Sequence, residues 1–246
     1  MVVLYFLYEV IIILPIFFVA TVIAGFVTTV GCMCGLGKYM GYWPGVIWGK
    51  IICWICLSPY KVEGRDRIDK NTSYIFVPNH QGAFDIFLLY AGLGHSFRWM
   101  LRKGIKKIPI AGISCEKSGQ IWVDEHGATG MIHTVRQALK TLQGGTSVVV
   151  FPEGTRSKDG HLNRFKKGAF TLAAMLKMPV VPITIDGPYK IMKKGDFLIR
   201  PHRMKIIIHN PLPAVTKEEG MEAGVDRLLH ESQRIIAESL NEPIQK

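Results

Sequence analysis

Tyr74-Ile75-Phe76-Val77-Pro78-Asn79-His80-Gln81-Gly82-Ala83-Phe84-Asp85 is the stretch whose reading decides the fold. The run Tyr74–Pro78 is apolar and rich in strand-favouring residues, and it ends at a proline. Polar residues and a glycine then interrupt it, and an apolar helical stretch opens near Ala83 and continues to Gly92. A strand that feeds a helix is the repeating unit of an α/β layer. The same alternation recurs downstream. Strands are expected at Phe97–Leu101, Gln120–Asp124, Ser147–Phe151, Val180–Ile185 and Arg203–Ile208, and helices at Thr129–Leu142, Lys167–Leu176 and Lys217–Asn241. The expected fold is α/β: a largely parallel, mixed sheet flanked by helices. Strands ending at Pro78, Phe151 and Ile185 put their following loops at carboxyl edges, where such sheets place ligands.

Upstream the chain changes character. Between Met1 and Gly37 the only charge is Glu9, and Ile11–Val30 is apolar or small throughout. About 20 such residues match a hydrocarbon core of roughly 30 Å. A secretory signal would carry a basic start and a shorter apolar core, so membrane attachment is the expectation. A second apolar segment, about Trp43–Leu57, holds Lys50, Trp43, Trp48 and Trp54, residues suited to the headgroup level. Residues 1–58 are therefore expected to be two membrane-anchoring helices, spanning or re-entrant, and residues 59–246 the α/β domain.

The 246 residues carry a formal net charge of +11, and residues 1–58 hold only Lys38 and Lys50 against Glu9. A basic domain behind an apolar anchor suits an anionic cytoplasmic leaflet. Lys38, Lys50 and Lys61 following the anchor also place the domain on the cytoplasmic side. The cations are scattered among apolar runs without aromatic–basic interleaving, which excludes nucleic acid as the partner. Cys32, Cys34, Cys53 and Cys56 form a C-x-C and a C-x-x-C pair, but in apolar sequence they read as small membrane residues rather than zinc ligands.

Two clusters carry chemistry. His80 lies just before a helix and Asp85 within its first turn, so the carboxylate can reach back to one imidazole nitrogen and leave the other as a base. An ordinary helix entry, with Asp85 on backbone N–H groups, has the same spacing. The second cluster, Phe151-Pro152-Glu153-Gly154-Thr155-Arg156-Ser157, follows a strand. Arg156 suits a phosphate, and Gly154 allows close backbone approach. A surface turn with an internal Glu153–Arg156 pair is equally compatible. Asn163-Arg164-Phe165-Lys166-Lys167-Gly168 keeps the neighbourhood cationic.

Together these clusters resemble the glycerolipid acyltransferase family, specifically the 1-acylglycerol-3-phosphate (lysophosphatidate) acyltransferases. His80 and Asp85 match its H-x-x-x-x-D signature, and Glu153, Gly154, Thr155 and Arg156 its E-G-T-R signature. Lys103 with Ile108-Pro109-Ile110-Ala111-Gly112, the stretch Phe165–Phe170, and Val181-Pro182-Ile183 resemble the remaining blocks, in order, over about residues 62–211. The resemblance implies His80 and Asp85 as catalytic residues and Lys103, Glu153, Gly154, Thr155 and Arg156 as substrate-binding ones. It implies no metal or bound cofactor. Coenzyme A or acyl carrier protein would bring the acyl thioester as co-substrate, and membrane lipids would supply the acceptor. The implied reaction acylates the sn-2 hydroxyl of 1-acylglycerol 3-phosphate to give phosphatidic acid in phospholipid biosynthesis.

The alternatives are another lysolipid, including a lyso-aminolipid, or glycerol 3-phosphate as acceptor, and, from a different class, an ester or phosphate hydrolase. No G-x-S-x-G elbow is present, and Cys115 has no histidine near it in sequence, so direct transfer is expected over an acyl-enzyme. One departure stands out. The family's second block commonly closes on Asp-Arg, with that arginine associated with the acceptor phosphate. Here the run is Ile121-Trp122-Val123-Asp124-Glu125. Arg102, Lys103 or Arg156 must then supply the charge, or the acceptor differs.

Overall fold

The computed structural model describes residues 2–123, 127–142 and 145–242. The chain opens with α1 (Val2–Tyr8), a π-helical turn (Glu9–Ile13) and α2 (Leu14–Met33), which run on from one another as a single rod. Cys34, Gly35 and Leu36 reverse it, with Gly35 in the left-handed region at φ +83°. The short α3 (Gly37–Met40) and α4 (Trp43–Ile55) follow. The α/β part comprises β1 (Tyr60–Glu63), β2 (Ile75–Pro78), α5 (Phe84–Gly92), β3 (Phe97–Arg102), α6 (Ala111–Lys117), β4 (Ile121–Val123) and α7 (Gly127–Thr141), then β5 (Ser147–Val149), α8 (Gly168–Leu176), β6 (Val180–Asp186), α9 (Pro188–Ile191), β7 (Met204–Ile208) and α10 (Met221–Leu240).

The seven strands form one sheet in the order β1-β7-β6-β2-β5-β3-β4. Every neighbouring pair is parallel except β6 with β7, so the sheet is the mixed, largely parallel one expected. β2 is central and fully buried, as a strand covered on both faces must be. Its residues alternate between two cores. Phe76 joins the core beneath α5 and α4, whereas Ile75 and Val77 join the core beneath α8 and α10. α5 is apolar on all sides because it is sandwiched between the sheet and α4. α10 instead buries one stripe, including Val225, Leu228, Leu229, Ile236 and Ala237, at helical spacing. It ends on Asn241 in the left-handed conformation, a common helix stop.

Besides the one-turn helices α3 and α9, two elements were not anticipated. β1 is a four-residue edge strand whose Lys61 and Glu63 form a surface ion pair, so its apolar signal is weak. α6 is only seven residues long, below the length at which helical periodicity becomes legible.

The two N-terminal helices do not stand apart from the α/β sheet. Ile13, Val46, Ile52 and Cys53 belong to the same core as Phe84 and Leu88. Gly49 lets α4 approach α5 so closely that a Cβ there would lie 2.6 Å from the Phe87 carbonyl oxygen. Phe87 also meets Trp48 and Phe17 edge-on, at centroid separations of 4.8 and 6.0 Å. Residue 58 thus ends a chain segment without ending the packing. The outer face of the first rod, including Phe6, Phe18, Ile23 and Phe26, is exposed, and residues 4–33 are long and apolar enough to cross a membrane.

Because α4 covers α5, removing residues 1–58 should leave an insoluble or molten domain rather than a stable soluble one. Gly49→Leu in the full chain should cost at least about 2 kcal/mol by forcing the helices apart. Thermal unfolding in detergent measures the second effect, and an unchanged midpoint would show that the helices do not depend on this contact.

Candidate active site

The site forms where the loops after β2, β5 and β6 meet at the carboxyl edge of the sheet. Asn79 leaves β2 and pins the loop by mimicking a strand neighbour. Its Nδ2 donates to the Ile185 carbonyl at 2.9 Å, and its Oδ1 accepts the Ile185 N–H at 2.7 Å. His80 follows, and its Nδ1 lies 2.6 Å from Asp85 Oδ2. The same oxygen accepts the Gly82 N–H at 2.9 Å, which holds the carboxylate at the mouth of α5. Since Asp85 is an acceptor here, Nδ1 carries the hydrogen and Nε2 keeps its lone pair. Asp85 is fully buried and burial raises its pKa, opposed by the imidazole and by the Gly82 and Gln81 N–H groups. His80 keeps 15% side-chain exposure and lines the neighbouring cavity.

Glu153 faces inward, not toward Arg156. Its Oε1 accepts the His80 N–H at 2.6 Å, and its Oε2 accepts the Asn163 N–H and Nδ2 at 3.1 and 2.6 Å. The Ser157 N–H donates to the His80 carbonyl at 2.8 Å, so the second loop grips the first on both sides of one residue. Burial, aided by the nearby Asp85 charge, pushes the Glu153 carboxyl up to about 7 despite these donors. Phe151 stacks on the imidazole with centroids 3.8 Å apart, and Trp99 stacks on Phe151 at 5.7 Å.

The other expected residues lie around this bracket. Gly154 has φ +72° and borders the cavity, with Lys166 Nζ 3.1 Å from where a Cβ would stand. Thr155 is exposed and its Oγ1 accepts a hydrogen bond from Lys194 Nζ at 2.8 Å. Arg156 follows, half-buried. Lys103 opens the short helical stretch after β3. Arg102 Nη2 donates to the Gly154 carbonyl at 3.1 Å. Glu125, where the sequence departs from the family pattern, lies outside the described residues.

Sequence reading missed Asn163, Lys166 and Lys194 as parts of this assembly. The run Asn163–Gly168 signalled only charge, and nothing local marked Lys194. The cavity itself was also unforeseen. It measures about 650 Å³ and is chiefly apolar, with Leu101, Ile105, Ile110 and Ala111 on one side and Thr21 and Ala24 of α2 on another. Cys115 borders it too, and burial pushes that thiol up to about 11, which keeps it protonated and unreactive.

His80, held by the buried Asp85 carboxylate, thus borders an apolar cavity at the carboxyl edge of an α/β sheet. The Acyltransferase family model matches residues 59–186, and the chain belongs to that family. It is 37% identical over 195 residues to a chloroplastic 1-acyl-sn-glycerol-3-phosphate acyltransferase of Arabidopsis thaliana, covering 76% of this chain and 52% of that one. A 1-acyl-sn-glycerol-3-phosphate acyltransferase of Saccharomyces cerevisiae is 31% identical over 150 residues, covering 57% and 49%. The chain therefore spans about half the length of these curated relatives. The crystal structure of a 1-acyl-sn-glycerophosphate acyltransferase from Thermotoga maritima superposes with a TM-score of 0.78 at 25% identity, over 100% of this chain and 98% of that one.

Glu153 yields a pH prediction. Its pKa is raised on folding from the ordinary 4.5 to about 7. Its contribution is thus fully present below about pH 4.5 and is lost as pH rises through 7, by up to about 3 kcal/mol. Glu153→Gln cannot ionise, so its melting temperature should decline less between pH 5 and 8 than that of the parent. Parallel declines would assign the pH dependence to other groups.

Proposed function

We propose that this protein transfers a fatty acyl chain from a thioester of coenzyme A or acyl carrier protein to the sn-2 hydroxyl of 1-acylglycerol 3-phosphate. The product is phosphatidic acid. The observation that carries this reading is the 2.6 Å His80–Asp85 contact beside an apolar cavity large enough for an acyl chain. His80 Nε2 removes the acceptor hydroxyl proton as that oxygen attacks the thioester carbonyl. Asp85 holds the tautomer and balances the imidazolium that forms. The C–S bond then breaks, and the imidazolium returns the proton to the departing thiolate. The unreactive Cys115 favours this direct route over an acyl-enzyme.

The acceptor phosphate is assigned to Arg156, with Lys194 and Arg102 flanking the same loop. This cationic rim is what favours lysophosphatidate over an amine-bearing lysolipid. Glu153, by contrast, is a positioning residue behind His80 rather than a substrate contact.

The attachment proposed is in the plane of the cytoplasmic leaflet. Tyr5, Glu9, Ile13, Phe17, Thr21 and Gly25 recur every four residues and face inward along the first rod. They keep about 30 Å of helix against the domain, which a span perpendicular to the bilayer would not allow. The exposed apolar face then meets lipid, and the net charge of +11 suits an anionic surface.

Purified protein offered lysophosphatidate, other lysolipids and both donor types, with products read by mass spectrometry, tests the reaction. His80→Ala should lower kcat/KM by about a thousandfold with the fold intact, and Asp85→Asn by less, because Nε2 remains. Near-parent turnover by folded His80→Ala would sink the base assignment. Arg156→Ala should raise the acceptor KM roughly tenfold to a hundredfold and the donor KM little. Arg156→Lys should recover only part of that loss, for want of two-pronged geometry. An unchanged acceptor KM in Arg156→Ala would remove the phosphate from this loop.

A further inference from the structure

The segment between α9 and β7 takes no part in the sheet or the catalytic pair, yet it is braced internally. The Arg200 N–H donates to the Ile191 carbonyl at 2.9 Å and closes its base. Asp196 Oδ1 accepts the Phe197 N–H at 3.1 Å, and its Oδ2 holds the Arg200 guanidinium at 2.7 Å. This braced loop presents Phe197 at 90% exposure, more than any other large apolar side chain among the described residues.

A single exposed phenylalanine explains nothing by itself. Two independent observations say what it meets. First, residues 190–203 carry Lys190, Lys193, Lys194, Arg200 and Arg203 against Asp196 alone, the charge of a segment made for anionic headgroups. Second, the loop is fastened to the apolar N-terminal rod. Glu9, the one charge of that rod and only 3% exposed, accepts the Ile199 N–H at 3.3 and 3.4 Å. Phe197 is two residues from this pin, within about 7 Å of chain, so the depth of the rod in the lipid sets the depth of the ring. A cationic collar around an aromatic tip is the usual composition of a segment seated at the headgroup level.

We propose that the loop Lys193–Arg200 is a second membrane contact, with Phe197 entering the outer acyl region of an anionic leaflet and the surrounding cations at lipid phosphates. The proposal rests on the membrane attachment argued above and adds a role for a segment outside the anchor. Lys194 donates to Thr155 from the same loop, so seating the loop also sets the rim of the acceptor site against the bilayer surface. A lysolipid leaving the leaflet then meets Arg156 and His80 without crossing bulk water.

The test uses the full-length Phe197→Trp protein, compared with the parent, in vesicles of phosphatidylcholine and phosphatidylglycerol in roughly equal parts. Flotation first establishes attachment, and activity on a short-chain acceptor establishes the fold. The emission added by the new indole should be blue-shifted, quenched by brominated acyl chains and shielded from acrylamide. Phe197→Ser should raise the acceptor KM about tenfold in these vesicles and leave turnover of a water-soluble acceptor unchanged. If the protein floats but the added indole emits as in water and is open to acrylamide, the loop proposal is overturned while the anchor stands. Shielding that develops only when acyl carrier protein is added would overturn it in favour of an acidic protein partner. Failure to float would overturn both.

Discussion

Two hydrogen bonds on either side of one residue hold this candidate site together. The His80 N–H reaches the Glu153 carboxylate, and the His80 carbonyl receives the Ser157 N–H, so the loop after β5 clasps the loop after β2. The residues involved are 73 and 77 positions apart in sequence but follow two adjacent parallel strands. Parallel pairing is what makes the clasp possible, because it puts both strand ends, and therefore both loops, at the same edge. Buried backbone groups in loops need partners, and here each loop supplies the other's. The histidine backbone is thereby fixed before its side chain has any chemistry to do.

The side chain is then fixed by two further constraints of different kinds. Asp85 accepts from Nδ1, which sets the tautomer, and Phe151 lies flat against the ring, which sets its plane. The stack continues to Trp99 within β3, so rings from β3 and from the loops after β2 and β5 form one wall. Such a wall excludes water from one side of the imidazole and strengthens its electrostatic coupling to the buried Asp85. Two buried carboxyls close together repel each other's ionised forms, and this adds to burial in raising Glu153 to about 7. Burial thus raises both carboxyls, opposed at Asp85 by the imidazole and the Gly82 and Gln81 N–H groups and at Glu153 by the His80 and Asn163 donors.

Much of this was legible in the sequence, for identifiable reasons. The strands β2, β5 and β6 are continuous apolar runs, and the His80–Asp85 spacing follows from one helix entry, so both are encoded locally. The role of Glu153 was not. Beside Arg156 in sequence it reads as half of a turn ion pair, and only the clasp reverses that orientation by giving the carboxylate His80 and Asn163 as partners. Lys194 escaped for a related reason, and Arg102 was legible only as a candidate charge, not as a donor to the Gly154 carbonyl. Each meets the Gly154–Thr155 backbone or hydroxyl from an element distant in sequence, and exposed cations carry no periodic signal. The apolar cavity was invisible because its walls come from α2, β3, α6 and the loop after β5, none of which looks like a binding element alone.

The N-terminal rod shows how one composition can satisfy two solvents. Its exposed side is as apolar as any spanning helix, so hydropathy registers only membrane. The opposite stripe is marked by small or polar residues: Glu9 bonds Ile199, Thr21 accepts from the Trp48 indole at 3.0 Å, and Gly25 makes room for Ile110. Such residues let a helix pack closely on protein where lipid contact would favour bulk. The wider π turn at Glu9–Ile13 offsets part of the angular drift between Glu9 and Ile13, and the stripe from Ile13 to Gly25 continues on regular α-helix. Because Thr21, Ala24 and Gly25 also line the cavity beside His80, the surface that docks the rod is the one that closes that cavity. Anchor and pocket are therefore one packing problem, and a change that loosens the first must open the second.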